Sequence, residues 1–504
     1  MKLKNYLGIS AGYHDAAVSM INSHGSILFA GHAERYSKCK NDAHLNNEIV
    51  SAALSYGTPD QVAYYERPWV KKIQQLYSGQ YHAAFDLNSF TLRQYLRKHL
   101  SPGSHLDALL RAKHCYTGHH MAHAAAGFQT SPYDRATVVV IDAVGELDTI
   151  TIWGAEYNSA GRATYKKLWS RGYPHSIGLF YSAVTARVGL RPLDEEYILM
   201  GMAAYGQNNI SNRLRYDLID NEWEIQFKEN LHTGLEAKYL SDYSEFDIAA
   251  GAQSLVEDLI LNVMVRAKKL NWSNNLVYMG GVALNCSANR RIGSYFDNIW
   301  IMPSPGDSGS SLGAAALAYG GRIDWTDAFL GDSIGGKYPV NDLLDVLLRD
   351  RIVGVASGRA EFGPRALGNR SLLADPRGPE IKDCVNEIKR RQQFRPFAPV
   401  ILEEYADQYF DMPRGFGNSR YMQAVAQCRN PDLFPAIVHI DGTSRVQTVP
   451  ADGSGIRELL EKWHVLTGCP MLLNTSLNIR GEPVVNDRAD ADRFEQLYGV
   501  KVCS

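Results

Sequence analysis

The sequence lacks an excess of charge of either sign. Its 52 Lys and Arg residues are balanced by 54 Asp and Glu residues, which gives a formal net charge of −2. A chain so close to neutrality has no overall basic bias of the kind that draws proteins to nucleic acid or to anionic membranes. A local basic groove stays open, because net charge averages over the whole surface.

Long apolar runs are also missing. No stretch approaches the roughly 20 apolar residues that span a bilayer. The first ten residues contain no apolar segment of the length found in secretory signals. We therefore expect a cytoplasmic protein without a membrane partner.

Cysteine is scarce and shows no pairing pattern. The seven cysteines include no CxxC pair, and their number is odd. This argues against a disulfide framework and against a zinc site built on cysteine pairs, so we expect reduced thiols. The sequence also has no internal repeat of solenoid period.

The 504 residues are enough for two or more domains. Apolar segments around Ile9, Val18 and Leu28, separated by turn residues, predict a β-meander at the start of the chain. The continuous apolar segment 136–141 predicts a strand buried on both faces, and the apolar spacing over 250–270 predicts a helix. Strands and helices alternate in two similar sets, which indicates an α/β architecture with two related halves.

Turn-forming residues are concentrated over 331–339. We place a domain boundary there, with one domain over residues 1–335 and a second over residues 345–504. The second domain should open with a strand over 352–356. We expect its last element near Val484 and Val485, followed by a short tail.

His119 and His123 are four residues apart and would project from one face of a helix. Histidines so spaced are often structural, but Asp142 follows an apolar strand and Asp307 lies in a glycine-rich turn. Two imidazoles with carboxylates form a site for a divalent metal such as iron, manganese or magnesium, with positions left open. The adjacent His120 remains an alternative to His119.

Three small-residue turns follow predicted strands, and their backbone amides are suited to phosphate. They contain Gly12, Gly145 and the pair Gly280 and Gly281, the last followed by Asn285 at the start of a predicted helix. One such turn is weak support, because turns contain glycine for steric reasons. Three of them resemble the nucleotide cleft of the actin and sugar-kinase superfamily.

The C-terminal part contains arginines set among glycine, proline and aromatic residues. They are Arg365, Arg395, Arg445 and Arg480, the last in a segment that begins at Asn474. A guanidinium group binds phosphate or carboxylate through two parallel hydrogen bonds. A small anion such as a phosphate monoester is the expected ligand.

Together these residues resemble the O-carbamoyltransferases of the nodulation, cephamycin and tobramycin type, over essentially the whole chain. The motifs that carry the resemblance lie at residues 12–17, 34–42, 119–128, 142–146, 280–285 and 306–307, and in the four arginine segments. The resemblance implies an actin- and sugar-kinase-like N-terminal domain, similar to the catalytic subunit of the tRNA threonylcarbamoyl-adenosine enzymes. It also implies a C-terminal YrdC-like α/β domain.

The resemblance further implies an ATP-dependent reaction in two stages. Carbamoyl phosphate gives carbamate in the C-terminal domain, and carbamate attacks ATP to form carbamoyl adenylate and pyrophosphate. An acceptor hydroxyl in the N-terminal domain then takes the carbamoyl group.

The same resemblance implies roles for particular residues. His119, His123 and Asp307 would bind the metal, with Asp142 beside it, and His14 would take the proton of the acceptor hydroxyl as a neutral imidazole. Lys40 would contact a phosphate or the leaving group. The remaining assignments are nucleotide contacts for Gly12, Gly145, Gly280, Gly281 and Asn285, and carbamoyl phosphate contacts for Arg365, Arg395, Arg445, Arg480 and Asn474.

The acceptor is left open by the sequence. One hypothesis is a hydroxyl of a small natural product, and another is a hydroxymethylated base such as 5-hydroxymethylcytosine in phage-type DNA. The basic segments 71–72 and 389–391 would then contact DNA phosphates, although such charges are usually solvated. A hypothesis from another class is a non-catalytic ATP-binding regulator. A homo-oligomer is also left open.

Overall fold

The first five strands of the chain form one mixed sheet. The computed structural model describes residues 3–85 and 91–504. The strands are β1 (Asn5–Ser10), β2 (Ala17–Asn22), β3 (Ile27–His32), β4 (Gln61–Tyr64) and β5 (Lys113–Tyr116), in the order β3-β2-β1-β4-β5. The pairs β1–β2 and β2–β3 are antiparallel, whereas β4 and β5 run parallel to β1. The predicted β-meander is therefore confirmed.

Short helices connect these strands and cover the sheet. They are α1 (Glu34–Ser37), α2 (Asn47–Leu54), α3 (Pro68–Tyr77), α4 (Tyr81–Phe85), α5 (Leu92–His99) and α6 (Ser104–Arg111). Side chains cap two of them, because Asn46 accepts from the amide of Ile49 and Thr91 accepts from that of Gln94. Such caps satisfy amides that lack a partner inside the helix.

A second sheet repeats the connectivity of the first. Its strands are β6 (Arg135–Gly145), β7 (Asp148–Tyr157), β8 (Ala163–Gly172), β11 (Asn275–Met279) and β12 (Asn298–Trp300), while β9 (Ile219–Asn221) and β10 (Gln226–Phe227) pair separately. Counted from its own first strand, the order is again third, second, first, fourth, fifth, with a meander followed by two parallel strands. The expected α/β architecture with two related halves is confirmed.

The helices of this region are α7 (His119–Thr130), α8 (Ile177–Arg187), α9 (Glu196–Met202), α10 (Ser211–Leu218), α11 (Glu245–Lys269), α12 (Cys286–Ile292) and α13 (Asp307–Tyr319). Within the described ranges, α11 alone is long and apolar enough to cross a membrane, but 72% of its apolar window is buried inside the fold. It begins where Ser244 accepts from the amide of Asp247. The helix predicted over 250–270 is thus confirmed as a core helix.

Helix α13 packs closely against both α7 and β1. At Gly313, a Cβ atom would collide with the carbonyl oxygen of Ala122, and at Gly8 it would collide with that of Ser311. Only glycine permits this approach of backbone to backbone. The contact brings the first turns of both helices, and the side chains they carry, to one point.

The C-terminal part is built on a six-stranded mixed sheet in the order β21-β17-β22-β16-β14-β23. The strands of this part are β13 (Phe329–Ile334), β14 (Ile352–Ala356), β15 (Gly358–Glu361), β16 (Arg370–Ala374), β17 (Ala398–Leu402), β18 (Phe410–Asp411), β19 (Val425–Cys428), β20 (Thr443–Arg445), β21 (Gln447–Val449), β22 (Met471–Ser476) and β23 (Val502–Cys503). Its helices are α14 (Val340–Asp350), α15 (Glu380–Ile388), α16 (Ala406–Tyr409), α17 (Gly455–Thr467) and α18 (Arg488–Tyr498). The α/β class is confirmed for this part too.

The expectation of a short tail after Val485 is wrong. Helix α18 begins where Asp487 accepts from the amide of Asp490, and β23 then pairs in parallel with β14. Five of its 11 residues are charged, but Ala491 and Phe494 are buried and hold it to the core. The division into residues 1–335 and 345–504 stays a prediction, and β13 pairs with β15 across that region.

Candidate active site

A cavity of about 430 Å³ lies between the N-terminal sheets and the C-terminal part. Its lining includes His14, Asp142 and Asp307 of the N-terminal part, here called its first end, and Arg365 and Arg445 of the C-terminal part, here called its other end. Residues from both parts of the chain therefore share one continuous space.

At the first end, four predicted metal ligands come together. His119 and His123 lie on α7, Asp142 on β6 and Asp307 at the start of α13, and one ligand atom from each lies within 4.8 Å of all the others. Nε2 of His119 is 3.1 Å from Asp142 Oδ2 and 3.3 Å from Asp307 Oδ1, and Nε2 of His123 is 3.4 and 3.2 Å from the same oxygens. Adjacent ligands of one cation with bonds of about 2.1 Å lie roughly 3.0 to 3.5 Å apart. The set fits a divalent metal.

Charge supports the same interpretation. Burial alone would lower the pKa of His119, but Asp307 and Asp142 outweigh it and hold that pKa well above the ordinary value. Burial would raise the pKa of Asp142, yet the hydrogen bonds with His119 and His123 keep it well below the ordinary value. Positive charge on an imidazole is thus stabilised by the carboxylates, and a cation at the same place would supply that charge instead.

His120 does not belong to this cluster. Its Nδ1 lies 2.9 Å from Thr151 Oγ1, and burial lowers its pKa well below the ordinary value. The structure therefore favours His119, the alternative that has the four-residue spacing to His123.

His14 lies beside the cluster, with Nε2 3.7 Å from Asp307 Oδ2 and Nδ1 3.1 Å from Asp15 Oδ2. Burial would lower its pKa, but the hydrogen bond to Asp15 and the charge of Asp307 raise it to about 9. The neutral imidazole expected from the sequence therefore requires that positive charge first offsets these carboxylates.

The glycine turns divide into two groups. Gly281 and Asn285 line the cavity, and Gly281 donates its amide to Asp142 Oδ1 at 3.2 Å. Gly12, Gly145 and Gly280 do not line it. A Cβ atom at Gly145 would collide with the His119 and His120 rings, and one at Gly280 would collide with the Ile141 carbonyl, so both serve close packing.

Three of the predicted arginines form an unneutralised cluster at the other end of the cavity. Arg365, Arg395 and Arg445 line it, and within residues 3–85 and 91–504 none of them forms an ion pair with an acid. Burial, with the nearby charge of Arg445, lowers the pKa of Arg365 to about 9. Nε of Arg445 is buried without a hydrogen-bond partner. Such a cluster gains free energy when it binds an anion.

Arg370, in the same sequence segment, has a different role. It is fully buried and donates to the carbonyl oxygens of Ser357, Gly358, Asn369 and Asn486. Its guanidinium group therefore binds carbonyl oxygens inside the fold, and the residue does not line the cavity.

Two further cations of the cavity wall, Lys389 and Arg391, were missed as site residues by sequence reasoning. Lys389 donates to Ser476 Oγ at 3.2 Å and to Asn478 Oδ1 at 3.0 Å, and burial with the charge of Arg391 lowers its pKa well below the ordinary value. A run of three basic residues resembles a solvated surface, and only Arg390 of the three is exposed. The sequence signal for a buried role was weak: aromatic and proline residues follow this basic run.

Asn474 lines the cavity beside these cations. Its amide nitrogen donates to Ala366 O at 3.1 Å and to Gln447 Oε1 at 2.7 Å. Its Oδ1 is buried and has no partner, so an acceptor remains available next to an anion-binding surface.

Acidic residues of the segment 193–197 face the remaining two predicted cations. Lys40 Nζ is 3.0 Å from Asp194 Oδ1, and Arg480 is 2.8 Å from Glu195 Oε1. Tyr197 lies under Arg395, with the guanidinium 4.8 Å from the ring centroid. Sequence reasoning did not single out these three partners, because acids and tyrosines without fixed spacing give no motif.

Two family models match the chain. The model described as the carbamoyltransferase N-terminus covers residues 5–316, and the one described as the carbamoyltransferase C-terminus covers residues 344–502. The first contains the metal-type cluster, and the second contains the arginine cluster.

Curated relatives agree with these matches. An uncharacterised protein of Synechocystis sp. is 33% identical over 97% of this chain and 94% of its own length. Nodulation protein NolNO of Sinorhizobium fredii is 29% identical over 95% of this chain and 76% of its own length. Nodulation protein U of Rhizobium tropici is 27% identical over 96% and 92%.

The chain is also similar to solved structures, at lower sequence identity than to these relatives. Component A of the (R)-2-hydroxyglutaryl-CoA dehydratase of Acidaminococcus fermentans gives a TM-score of 0.34 at 13% identity, over 63% of this chain and 98% of that chain. Full-length HypF, in a phosphate- and nucleotide-bound form, gives 0.32 at 13% identity, over 63% and 55%.

Proposed function

The chain belongs to the carbamoyltransferase family, and we propose that it is an ATP-dependent O-carbamoyltransferase that makes carbamoyl adenylate and uses it within one cavity. The observation that carries this proposal is the single cavity that is lined both by the arginine cluster and by Asp142 and Asp307 of the metal-type cluster. An anion site and a metal-type site in one cavity suit an intermediate that is formed at one end and consumed at the other.

The arginine cluster suits carbamoyl phosphate. Arg365, Arg395 and Arg445 offer charge that no acid in the described chain neutralises, and Arg480 would exchange Glu195 for a phosphate oxygen. Asn474 Oδ1 is placed to accept from the amide of the carbamoyl group. Water then cleaves carbamoyl phosphate to carbamate and phosphate, and the arginines stabilise the phosphate charge.

ATP would lie between the two ends, against Gly281 and Asn285. An oxygen of carbamate attacks the α-phosphorus, and the bond to pyrophosphate breaks as the new O–P bond forms. Lys40 would stabilise the charge on the leaving pyrophosphate by exchanging Asp194 for it. A divalent cation bound by His119, His123, Asp142 and Asp307 would supply positive charge beside the phosphates and offset the carboxylates that raise the pKa of His14.

Transfer to the acceptor would take place at His14. Its Nε2 takes the proton of the acceptor hydroxyl while the hydroxyl oxygen attacks the carbamoyl carbon. AMP leaves with the electrons of the bond that breaks. Asp15, 3.1 Å from Nδ1, orients the ring for this step.

We propose a hydroxyl of a small natural product as the acceptor. The DNA hypothesis loses one of its two basic segments, because Lys389 and Arg391 line the cavity rather than an outer surface. A non-catalytic regulator is set aside, since the chain belongs to an enzyme family and the four candidate metal ligands lie together.

The first test measures pyrophosphate release and carbamoyl adenylate after incubation with ATP, carbamoyl phosphate and Mn²⁺. Both products should appear only when carbamoyl phosphate is present. Absence of adenylate in a folded, metal-loaded protein would contradict the proposal.

The second test compares acceptors. A sugar alcohol, 5-hydroxymethylcytidine and DNA containing 5-hydroxymethylcytosine are offered in parallel and examined by mass spectrometry for an added carbamoyl group. We expect the gain in small molecules. Modification of the DNA alone would show that the acceptor is the nucleobase in the polymer.

A further inference from the structure

Glu66 stands directly behind the proposed metal site. It follows β4 and lies with Oε2 3.8 Å from His119 Nδ1, on the side of the ring opposite the cluster. Both residues are almost fully buried, at 7% and 2% exposure. Neither Glu66 Oε2 nor His119 Nδ1 has a hydrogen-bond partner. Two complementary buried groups therefore face each other without another partner.

His123 shows what this arrangement provides. Its Nδ1 lies 3.1 Å from the carbonyl oxygen of Pro305, an acceptor only, so Nδ1 must be the nitrogen that donates. The lone pair of the neutral ring is thereby fixed on Nε2, which faces the cluster. His119 presents Nε2 to the same point, and it needs an equivalent acceptor at Nδ1.

Neighbouring groups leave Glu66 available for this role. The adjacent Arg67 is held by Glu146, with Nη2 2.6 Å from Oε2. Among the described residues, Glu66 forms an ion pair only with His119. The ring of Tyr65 packs on His119, with centroids 5.1 Å apart, and limits rotation of the imidazole.

We propose that Glu66 is a positioning residue that accepts the Nδ1 proton of His119 and so directs the Nε2 lone pair of His119 into the metal site. This inference rests on the proposed metal site. A carboxylate behind a metal-bound imidazole fixes its tautomer and raises its basicity, and loss of such a partner typically weakens metal binding about 10–100-fold.

The test measures Mn²⁺ affinity of the chelator-treated full-length protein, by electron paramagnetic resonance of the free ion. Glu66→Ala should weaken binding about 10–100-fold. Glu66→Gln keeps the shape and one oxygen acceptor, so its affinity should lie between those of Glu66→Ala and the wild type. If Glu66→Ala does not fold, the affinity of Glu66→Gln still tests the proposal.

Glu361→Gln is the matched control. Glu361 is also a buried carboxylate, but its Oε1 accepts from the amides of Leu367, Asn369 and Arg370 in the C-terminal part. Its Mn²⁺ affinity should equal that of the wild type. Unchanged affinity in both Glu66 variants, or an equal loss in Glu361→Gln, would overturn the role of Glu66. Failure of the wild type to bind Mn²⁺ would overturn the metal site as well, which is a distinct result.

Discussion

Nε2 of His119 lies 3.1 Å from Nε2 of His123. Two imidazole nitrogens at this distance cannot both carry a proton that points at the other, and each also faces a buried carboxylate. A cation shared by the four side chains removes this conflict. The arrangement thus defines the first end of the cavity as a site for positive charge.

We expect His119→Asn and His123→Asn to weaken Mn²⁺ binding by at least about 100-fold, because each removes a direct ligand. His120→Asn should leave the affinity unchanged, since His120 contacts Thr151 instead. Titration with Mn²⁺ at constant ionic strength measures all three. Equal losses in the three variants would show that the histidines act through the fold and not as ligands.

Metal affinity should rise with pH. The pKa of His119 and that of His123 are raised in the metal-free protein, so protons compete with a metal for these imidazoles up to a higher pH than for ordinary histidines. Raising the pH towards these raised pKa values removes that competition. Calorimetry of Mn²⁺ binding in buffers of different ionisation enthalpy should detect proton release. Binding without proton release would contradict the protonated state assigned to the free site.

Gly313→Ala should separate α7 from α13, because the added Cβ would meet the carbonyl of Ala122. We expect a loss of about 1–3 kcal/mol in the free energy of unfolding, together with weaker Mn²⁺ binding, since Asp307 lies on the displaced helix. Gly335→Ala, which meets nothing within 4 Å, should stay within about 0.5 kcal/mol of the wild type. Chemical denaturation measures both, and equal stability would argue against the close helix contact.

Arg445→Ala should mainly reduce activity, whereas Arg370→Ala should mainly reduce stability. Arg445→Ala should reduce carbamoyl phosphate-dependent pyrophosphate release by about 10²–10³-fold and change stability by less than about 1 kcal/mol, because its Nε has no partner to lose. Arg370→Ala should cost at least about 3 kcal/mol, since several buried carbonyls lose their donor. Thermal denaturation beside the pyrophosphate assay separates the two. A stable Arg370→Ala protein would show that its carbonyl contacts matter little.

The metal-type cluster was predictable because each ligand has a sequence signal. His119 and His123 have helical spacing, and Asp142 ends an apolar strand. Asp307 lies in a glycine-rich turn that leads into a helix. These local sequence patterns are enough to predict that each side chain lies at the edge where the sheets and helices meet.

Other features depend on contacts between distant segments. The sequence predicts phosphate-binding turns at Gly145 and Gly280. In the structure, Gly145 packs closely against His119, and Gly280 packs closely against Ile141. Lys389 belongs to a run that resembles a solvated surface, yet residues 476–478 enclose it. Helix α18 was missed because only two of its residues are buried, which is too few for a clear apolar period.

The most direct test of the account is a single-turnover measurement with labelled carbamoyl phosphate, ATP, Mn²⁺ and a sugar alcohol, comparing the wild type with His14→Asn. Carbamoyl adenylate and carbamoylated product are quantified over time. We expect His14→Asn to form adenylate at nearly the wild-type rate and to accumulate it, because transfer lacks its base. Loss of adenylate formation in this variant would contradict the separation of the two steps between the two ends of the cavity.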